Sequence, residues 1–244
     1  MNYKSYQVYD NQDFFDKYTA IRKSGTSAND LLEKPIINQL VGTVKNKVVL
    51  DLGCGDGLYG KELLNKGAQS YLGIDGSKNM YDLAKRNLKG FNAELLQQDI
   101  ENIELESNKY DLIISRLVFH YIQNPTPLLK QIQQSLTKDG TFVLSIEHPI
   151  ITSCYDAYHK KIHRTKWIVD NYFSDGERIN NWNDKNVIKY HKTIEQYWKL
   201  FQQTDFVVNE IRESKPIEEN YEDGHDFKRR LRVPLFMMFG LGKT

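Results

Sequence analysis

The sequence predicts an α/β fold, a doubly wound and mostly parallel sheet with helices on both faces. Residues 48–147 alternate between short apolar segments typical of buried strands and amphipathic segments typical of helices. The first apolar segment, 48–52, runs into a glycine-rich turn at 53–57, and a helical pattern follows directly. Strands joined through helices are parallel, with right-handed crossovers. Glycines allow a tight turn and the close approach of a ligand.

Length and composition are typical of a globular protein. The chain has 244 residues, 40% hydrophobic and 27% charged, with a formal net charge of +1. This balance excludes disorder and argues against a nucleic acid as the main partner. Cys54 and Cys154 form neither a disulfide framework nor a metal-binding spacing. Without a signal peptide or an apolar run of ~20 residues, we expect a cytoplasmic protein with no membrane partner.

Two helices are predicted in residues 1–45, ahead of the first strand. Asp10 or Asn11 can cap the first helix, and Asn29 or Asp30 the second. Because these helices precede the first strand, we expect them to cover the sheet edge where a ligand binds.

From 48 to 147 the predicted strands end in polar residues. Strands are predicted at 48–52, 70–74, 93–97, 110–115 and 141–146, and helices at 58–65, 79–88 and 127–136. Asp51, Asp75, Asp99 and Ser115 lie at the ends of the first four strands. Ligands of open α/β sheets bind at the carboxyl ends of strands, so we expect these four residues to line one continuous trough.

The acidic residues narrow the class of ligand. Asp75 lies 75 − 55 = 20 residues beyond Gly55, where a carboxylate can accept hydrogen bonds from both ribose hydroxyls. A dinucleotide site would read G-x-G-x-x-G, whereas this turn reads G-x-G-x-G. Asp51 and Asp56 would repel phosphates and attract a cation. The pattern indicates a nucleoside that carries an ammonium or sulfonium group.

Four segments resemble successive motifs of class I S-adenosylmethionine-dependent methyltransferases, and among these the type-11 small-molecule group. They are Asp51–Gly57, Gly73–Ser77, Gln98–Ile100 and Tyr110–Ser115, within residues 46–148. The resemblance implies a Rossmann-like sheet of seven strands, the last inserted antiparallel between strands five and six. It also implies S-adenosylmethionine as the cofactor and in-line methyl transfer to a small-molecule acceptor.

The resemblance further implies which residues bind the methyl donor. They are Asp51, Gly53, Cys54, Gly55, Asp75, Gly76, Ser77, Met80, Asp99, Ile100, Ser115 and Leu117. Asp51 would lie near the methionine amino group, and Ser115 and Leu117 near the sulfonium. Tyr18 and Arg22, one helical turn apart, can offer a hydroxyl and a guanidinium to a carboxylate. An aromatic core residue beside a solvated arginine is an equal alternative for this pair.

The adenosine half of the donor would be held by acidic and apolar side chains. Asp75 would bind the ribose hydroxyls, and Asp99 would accept from the adenine amino group beside Ile100. Met80 would cover the adenine face, although a core role for Met80 is nearly as common. The family usually has a larger aliphatic residue at Gly76, so we expect changed packing around the adenosine without loss of binding.

The rest of the chain is expected to complete the sheet and to supply the acceptor site. Residues 194–244 are predicted to contain a helix at 194–203 and strands at 206–212 and 233–239.

An aromatic and histidine-rich insertion, 149–193, follows the fifth strand, and we expect it to form a lid over the carboxyl edge. Within it, 167–173 and 187–193 alternate like paired strands around a turn at 174–177. An edge-packing subdomain with no ligand role is the alternative.

A general base is needed only if the acceptor must lose a proton. The candidates are His120, Tyr121, Glu147 and His148. His148 is the first choice, because the end of the fifth strand faces the methyl group and imidazole titrates near neutral pH. The structural alternatives are that His148, which precedes Pro149, only hydrogen-bonds the turn, and that His120 lies on a helix surface.

Three classes of function remain open, and methyl transfer to a small molecule is favoured. An RNA-modifying methyltransferase would need a basic surface, and basic clusters occur at 160–167 and 228–232. Acids stand near the second cluster, so solvated faces or attraction of an acidic acceptor explain these residues as well. A non-catalytic nucleoside-binding module or a nicotinamide oxidoreductase of similar topology is the third class.

Overall fold

Strands and helices alternate along the chain at nearly the predicted positions. In the computed structural model, residues 2–154 and 166–243 are described. The strands are β1 (Asn2–Lys4), β2 (Val48–Leu52), β3 (Ser70–Asp75), β4 (Ala93–Gln97), β5 (Tyr110–Arg116), β6 (Leu136–Glu147), β7 (Gly176–Trp182), β8 (Lys185–His191), β9 (Phe206–Glu213) and β10 (Phe236–Lys243). The helices are α1 (Gln12–Lys23), α2 (Lys34–Val41), α3 (Leu58–Asn65), α4 (Lys78–Asn87), α5 (Thr126–Ser135), α6 (Pro149–Ser153), α7 (Ile194–Gln203) and α8 (Gly224–Arg230).

The main sheet has seven strands in the order β4-β3-β2-β5-β6-β10-β9. Strands β2 to β6 pair in parallel, whereas β10 pairs antiparallel with both β6 and β9. The prediction of a mostly parallel sheet whose last strand is inserted antiparallel is confirmed.

Helices cover both faces of this sheet, as a doubly wound fold requires. Leu128 and Ile132 of α5 and Phe201 of α7 belong to one buried cluster. Ile37 of α2 and Leu63 of α3 belong to a second cluster. The β2 sequence is a continuous apolar run because both of its faces are buried. Among the described residues, no helix has the length and apolar character needed to cross a bilayer.

The turn after β2 depends on glycine. Gly53, Gly55 and Gly57 have φ angles of +77°, +56° and +71°, a region that residues with a Cβ rarely adopt. A Cβ at Gly53 would also lie 2.4 Å from Val118 Cγ2. The three glycines therefore allow the chain to pass from β2 into α3 and leave the backbone open towards the sheet edge.

A second sheet, in the order β1-β8-β7, corrects the predicted hairpin. Strand β8 pairs with β7, and 167–173 contains no strand. The turn lies at Asn183-Asp184, with φ angles of +47° and +64°, and not at 174–177. Such two-residue turns match the twist of a hairpin, and Asn and Asp tolerate this backbone. Residues 155–165 of the predicted lid, with most of the first basic cluster, lie outside the described residues.

Other element boundaries also differ from the predictions, and β6 begins at Leu136 and not at 141. Asn11 caps α1 as expected, but Asn29 and Asp30 lie within a π-helical turn, Asn29–Glu33, and do not cap the second helix. The Ser27 hydroxyl accepts the N–H of Asp30 instead.

Strand β10 begins at Phe236 and not at Val233. Pro234 has no N–H for the sheet, and the N–H groups of Leu235 and Phe236 bond to the Ser214 hydroxyl.

Candidate active site

A cavity of about 390 Å³ lies at the carboxyl edge of the main sheet. Its wall is formed by the glycine turn, the ends of β3, β5 and β6, helix α1 and the β7–β8 hairpin. The predicted site residues that line it are Tyr18, Arg22, Gly53, Gly55, Asp75, Gly76, Met80, Ile100, Leu117, His120 and Glu147. The predicted residues outside its lining are Asp51, Cys54, Ser77, Asp99, Ser115 and His148.

Asp75 connects the two turns that border the cavity. One carboxylate oxygen accepts the N–H of Gly55 and the other that of Ser77, both at 2.9 Å. Burial raises the pKa of Asp75 to about 6, although the two N–H groups act in the opposite direction. Each oxygen has a further lone pair, so the carboxylate can also accept hydrogen bonds from a ligand.

Asp51 lies behind the glycine turn with one oxygen unpaired. Its Oδ2 accepts the Tyr71 hydroxyl at 2.8 Å, whereas Oδ1 is buried and has no hydrogen-bond partner within the described ranges. Burial raises the pKa of Asp51 to about 6. A buried carboxylate oxygen without a donor suits an ammonium group.

Tyr6, which the sequence analysis did not single out, occupies the space in front of Gly76. A Cβ on Gly76 would lie 2.5 Å from Cγ and Cδ1 of the Tyr6 ring. Burial and the nearby carboxylate of Asp99 raise the pKa of Tyr6. Asp99 lines a smaller cavity of about 180 Å³ on the other side of Tyr6. The only local signal for this contact was the glycine at 76.

Ser77 attaches the N-terminal segment to the site. Its hydroxyl donates to Asp10 at 2.7 Å. The same hydroxyl accepts the N–H of Met80, and Ser77 thereby caps α4. Asp10 also accepts the N–H of Asn79. The N-terminal residues therefore lie at the strand ends, and the role of Ser77 is structural.

The prediction that four polar strand ends line one continuous trough is wrong, because of these four residues only Asp75 lines the cavity, and Asp51, Asp99 and Ser115 do not. The Ser115 side chain is fully buried, and its hydroxyl donates to the Leu52 carbonyl at 2.9 Å. Cys54 is also buried, and burial raises the pKa of its thiol. Side chains alternate along a strand, so a polar residue at a strand end can face the neighbouring strands instead of the cavity.

Arg116 and Glu33 form an ion pair that the sequence analysis missed. Glu33 is fully buried and accepts from the Arg116 guanidinium and from Ser145 Oγ. The guanidinium of Arg116 also lies 4.4 Å from the centre of the Tyr59 ring. The sequence feature that could have indicated a buried ion pair is the position of Glu33 within a helical segment rich in apolar residues. Arg22 is likewise paired, with Asp30 at 3.0 Å.

His148, the first choice for a general base, is a helix cap. Its Nδ1 accepts the N–H of Ile150 at 3.1 Å, and its Nε2 faces Glu213 at 3.0 Å. Burial lowers the pKa of His148. Both ring nitrogens are engaged outside the cavity, so His148 is not positioned to take a proton from an acceptor.

His120, Glu147 and Lys189 instead meet at the cavity wall. His120 Nδ1 accepts the Glu147 N–H at 3.2 Å, so the neutral ring carries its proton on Nε2. Burial lowers the pKa of His120 to about 3. Lys189 Nζ donates to Glu147 Oε1 at 2.5 Å, and Oε2 is buried without a partner among the described residues. Burial favours a raised pKa for Glu147, but Lys189 and His120 outweigh it and lower the pKa.

Residues 50–144 match the family described as a methyltransferase domain. An uncharacterized protein of Haemophilus influenzae is 34% identical over 76% of this chain and 77% of its own length. A crystal structure assigned to an S-adenosylmethionine-dependent methyltransferase from Listeria monocytogenes has a TM-score of 0.80 and 28% identity. That match covers 92% of this chain and 99% of the other.

The chain belongs to the class I S-adenosylmethionine-dependent methyltransferases, within the type-11 group. It is an enzyme with the Rossmann-like fold of that class, and S-adenosylmethionine is its methyl donor.

Relatives with named acceptors match over shorter segments. A malonyl-[acyl-carrier protein] O-methyltransferase of Halalkalibacterium halodurans is 28% identical over 56% of this chain and 57% of its own length. A tRNA U34 carboxymethyltransferase of Vibrio cholerae is 31% identical over 48% of this chain and 39% of its own length.

Proposed function

We propose that the enzyme methylates a small molecule bound in the same cavity as the methyl donor. The observation that carries this proposal is the continuity of the lining, which runs from the glycine turn and Asp75 to His120, Glu147 and Lys189. Two reactants held in one enclosed space meet without the entropy cost of a bimolecular encounter, which can contribute about 7–11 kcal/mol.

The donor end is assigned to residues that fit a cationic nucleoside. Asp75 would accept from the ribose hydroxyls, and Met80 and Ile100 would flank the adenine. Asp51 lies behind the glycine turn, so its negative charge would attract the ammonium group without direct contact. The donor supplies an electrophilic methyl group on a sulfonium. Glycines 53 and 55 leave the backbone accessible to the methionine portion.

The acceptor end is assigned to the wall under the β7–β8 hairpin. Trp182 of the hairpin packs against Phe14 and Tyr18 of α1, with ring centres 5.0 and 5.8 Å apart. This aromatic contact joins the N-terminal helix to the hairpin above the sheet edge. We assign a lid function to these two elements, which would exclude water from the bound reactants.

The size of the cavity favours a small acceptor over a macromolecule. About 390 Å³ lies within the range of small-molecule pockets. Arg22, Arg116 and Lys189 line the cavity, but each is paired with a carboxylate, so they do not form a basic track for a phosphate backbone.

A competition between acceptor classes tests the proposal. The enzyme would be incubated with methyl-labelled S-adenosylmethionine and either a small-metabolite extract or total RNA and acyl-carrier protein. Label in low-mass products is expected. Label confined to RNA or carrier protein would refute a small-molecule acceptor. Binding of S-adenosylhomocysteine, measured by calorimetry, verifies that the enzyme is folded in either case.

A further inference from the structure

We propose that the methyl-accepting group is an uncharged amine, oriented by the carboxylate of Glu147. This inference rests on the proposed function and specifies the acceptor chemistry of the same cavity. Glu147 ends β6 and lines the cavity beside His120 and Lys189.

The first observation is the polarity of the acceptor wall. Glu147 Oε1 is bound by Lys189, but Oε2 is buried and has no hydrogen-bond partner in residues 2–154 and 166–243. A buried carboxylate oxygen requires a donor, and an amine N–H supplies one. Lys189 Nζ also lies 5.7 Å from the centre of the Tyr121 ring and 5.6 Å from that of Trp182, and these contacts help to hold the ammonium that binds Oε1.

The second observation is the pairing of the cations in the wall. Arg22 is paired with Asp30, Arg116 with Glu33 and Lys189 with Glu147. Every arginine and lysine in the described lining thus has a carboxylate partner, while Glu147 Oε2 has no hydrogen-bond partner among the described residues. This balance disfavours a carboxylate or phosphate as the accepting group.

The third observation is the absence of a strong base among the described groups that meet at the acceptor wall. The proton of neutral His120 is on Nε2, so this ring donates and does not accept, and Glu147 remains ionised beside Lys189. An alcohol would need deprotonation, whereas a neutral amine has a lone pair ready for attack.

The reaction then balances without a proton acceptor on the enzyme, because the amine gives up its ammonium proton to water before it binds. The amine nitrogen donates its lone pair to the methyl carbon, the carbon–sulfur bond breaks, and its electron pair stays on sulfur. The products are S-adenosylhomocysteine and an N-methylammonium ion, which loses its proton to water after release. Positive charge develops on nitrogen next to Glu147, where the carboxylate stabilises it.

Matched acceptors test this inference. A panel of primary amines would be compared with the alcohols and carboxylates of the same carbon skeletons, for example phenethylamine, 2-phenylethanol and phenylacetate. Methylation of amines alone is expected, and the methyl group should resist mild alkali, which hydrolyses esters. Preferential methylation of an alcohol or a carboxylate, or no methylation of any amine, overturns the inference.

Variants separate the role of Glu147 from folding. Glu147→Gln should lower kcat/KM for the best amine about 100-fold, as loss of a preorganised electrostatic group does, and leave the Kd of S-adenosylhomocysteine unchanged. Glu213→Gln is the control, because Glu213 is exposed and faces His148 outside the cavity. Equal activity of Glu147→Gln and wild type overturns the inference. If only RNA or a carrier protein is labelled, the proposal of a small-molecule acceptor fails. The identity of the methylated atom, nitrogen or oxygen, then still tests the inference that the accepting group is an amine.

Discussion

The ring of Tyr6 packs against Gly76 so closely that a Cβ there would lie 2.5 Å from two ring carbons. Tyr6 and Asp99 also line one smaller cavity, and the Asp99 carboxylate raises the pKa of Tyr6, so one N-terminal side chain lies beside two of the strand ends assigned to the adenosine. The glycine that departs from the family pattern is thereby explained: the space of a larger side chain is filled by an aromatic residue from a distant segment.

This contact predicts a compensating pair of substitutions. Gly76→Ile should displace Tyr6 and weaken binding of S-adenosylhomocysteine about tenfold, because the N-terminal segment is pushed from the site. Adding Tyr6→Ala should recover part of the lost affinity, since the effects of substitutions at two residues in contact are not additive. Calorimetry on both single variants and the double variant measures the coupling. Additive effects would contradict the proposed contact.

Asp75→Ala should weaken donor binding about 100-fold or more. Two hydrogen bonds to a charged group, each worth about 1.5–3 kcal/mol, would be lost. Asp82→Ala is the matched control, because Asp82 pairs with Lys78 on an exposed surface of α4. An unchanged Kd for S-adenosylmethionine in Asp75→Ala would remove this residue from the donor site.

Asp51 should make the ligand-free protein less stable as the pH rises. Its pKa is raised from 3.8 to about 6 in the folded state, so ionisation between these values costs about 3 kcal/mol of folding free energy. Relative to wild type, Asp51→Asn should gain about this amount between pH 4 and pH 7. Urea unfolding of both proteins at the two pH values measures it. If the difference in unfolding free energy between the two proteins is the same at both pH values, the pKa of Asp51 is not raised by folding.

His148 should matter for stability and not for chemistry. His148→Ala removes the cap of α6 and should cost about 1 kcal/mol or more, whereas His148→Asn keeps an acceptor at the cap. Both variants should retain kcat/KM within about threefold, because the ring lies outside the cavity. A large loss of kcat with an unchanged Tm would restore His148 as a catalytic candidate.

Removal of one partner from the buried ion pair of Glu33 and Arg116 should strongly destabilise the folded protein. Glu33→Ala leaves a buried guanidinium without its carboxylate and should cost about 3–5 kcal/mol. Glu33→Gln should cost less, because the amide oxygen can still accept from Ser145 or Arg116. Denaturant unfolding distinguishes the two variants, and equal stabilities would contradict a contribution from the hydrogen bonds that Glu33 accepts.

Local sequence patterns are sufficient to predict those elements whose structure depends on the backbone and on neighbouring residues. Val48–Leu52, Leu58–Asn65, Ala93–Gln97 and Ile194–Gln203 have the predicted bounds, because apolar runs and helical periodicity reflect burial against one sheet. The three glycines of the turn were also recognisable, since their positive φ angles exclude most other residues. The alternation at 167–173 does not form a strand, and the hairpin turns at Asn183-Asp184, where two residues with positive φ angles match the twist of the paired strands.

The sequence by itself determined the main sheet, the glycine turn, the donor class and the position of Asp75 at the carboxyl edge of the sheet. Only the tertiary structure decided that His148 caps a helix, that Ser115 bonds to a neighbouring strand, and that Lys189 reaches Glu147 across 42 positions of chain. The physical reason is the separation along the chain between the residues that interact. Strands, turns and caps follow from neighbours a few residues apart, whereas the partner of a buried polar side chain depends on which distant element packs against it.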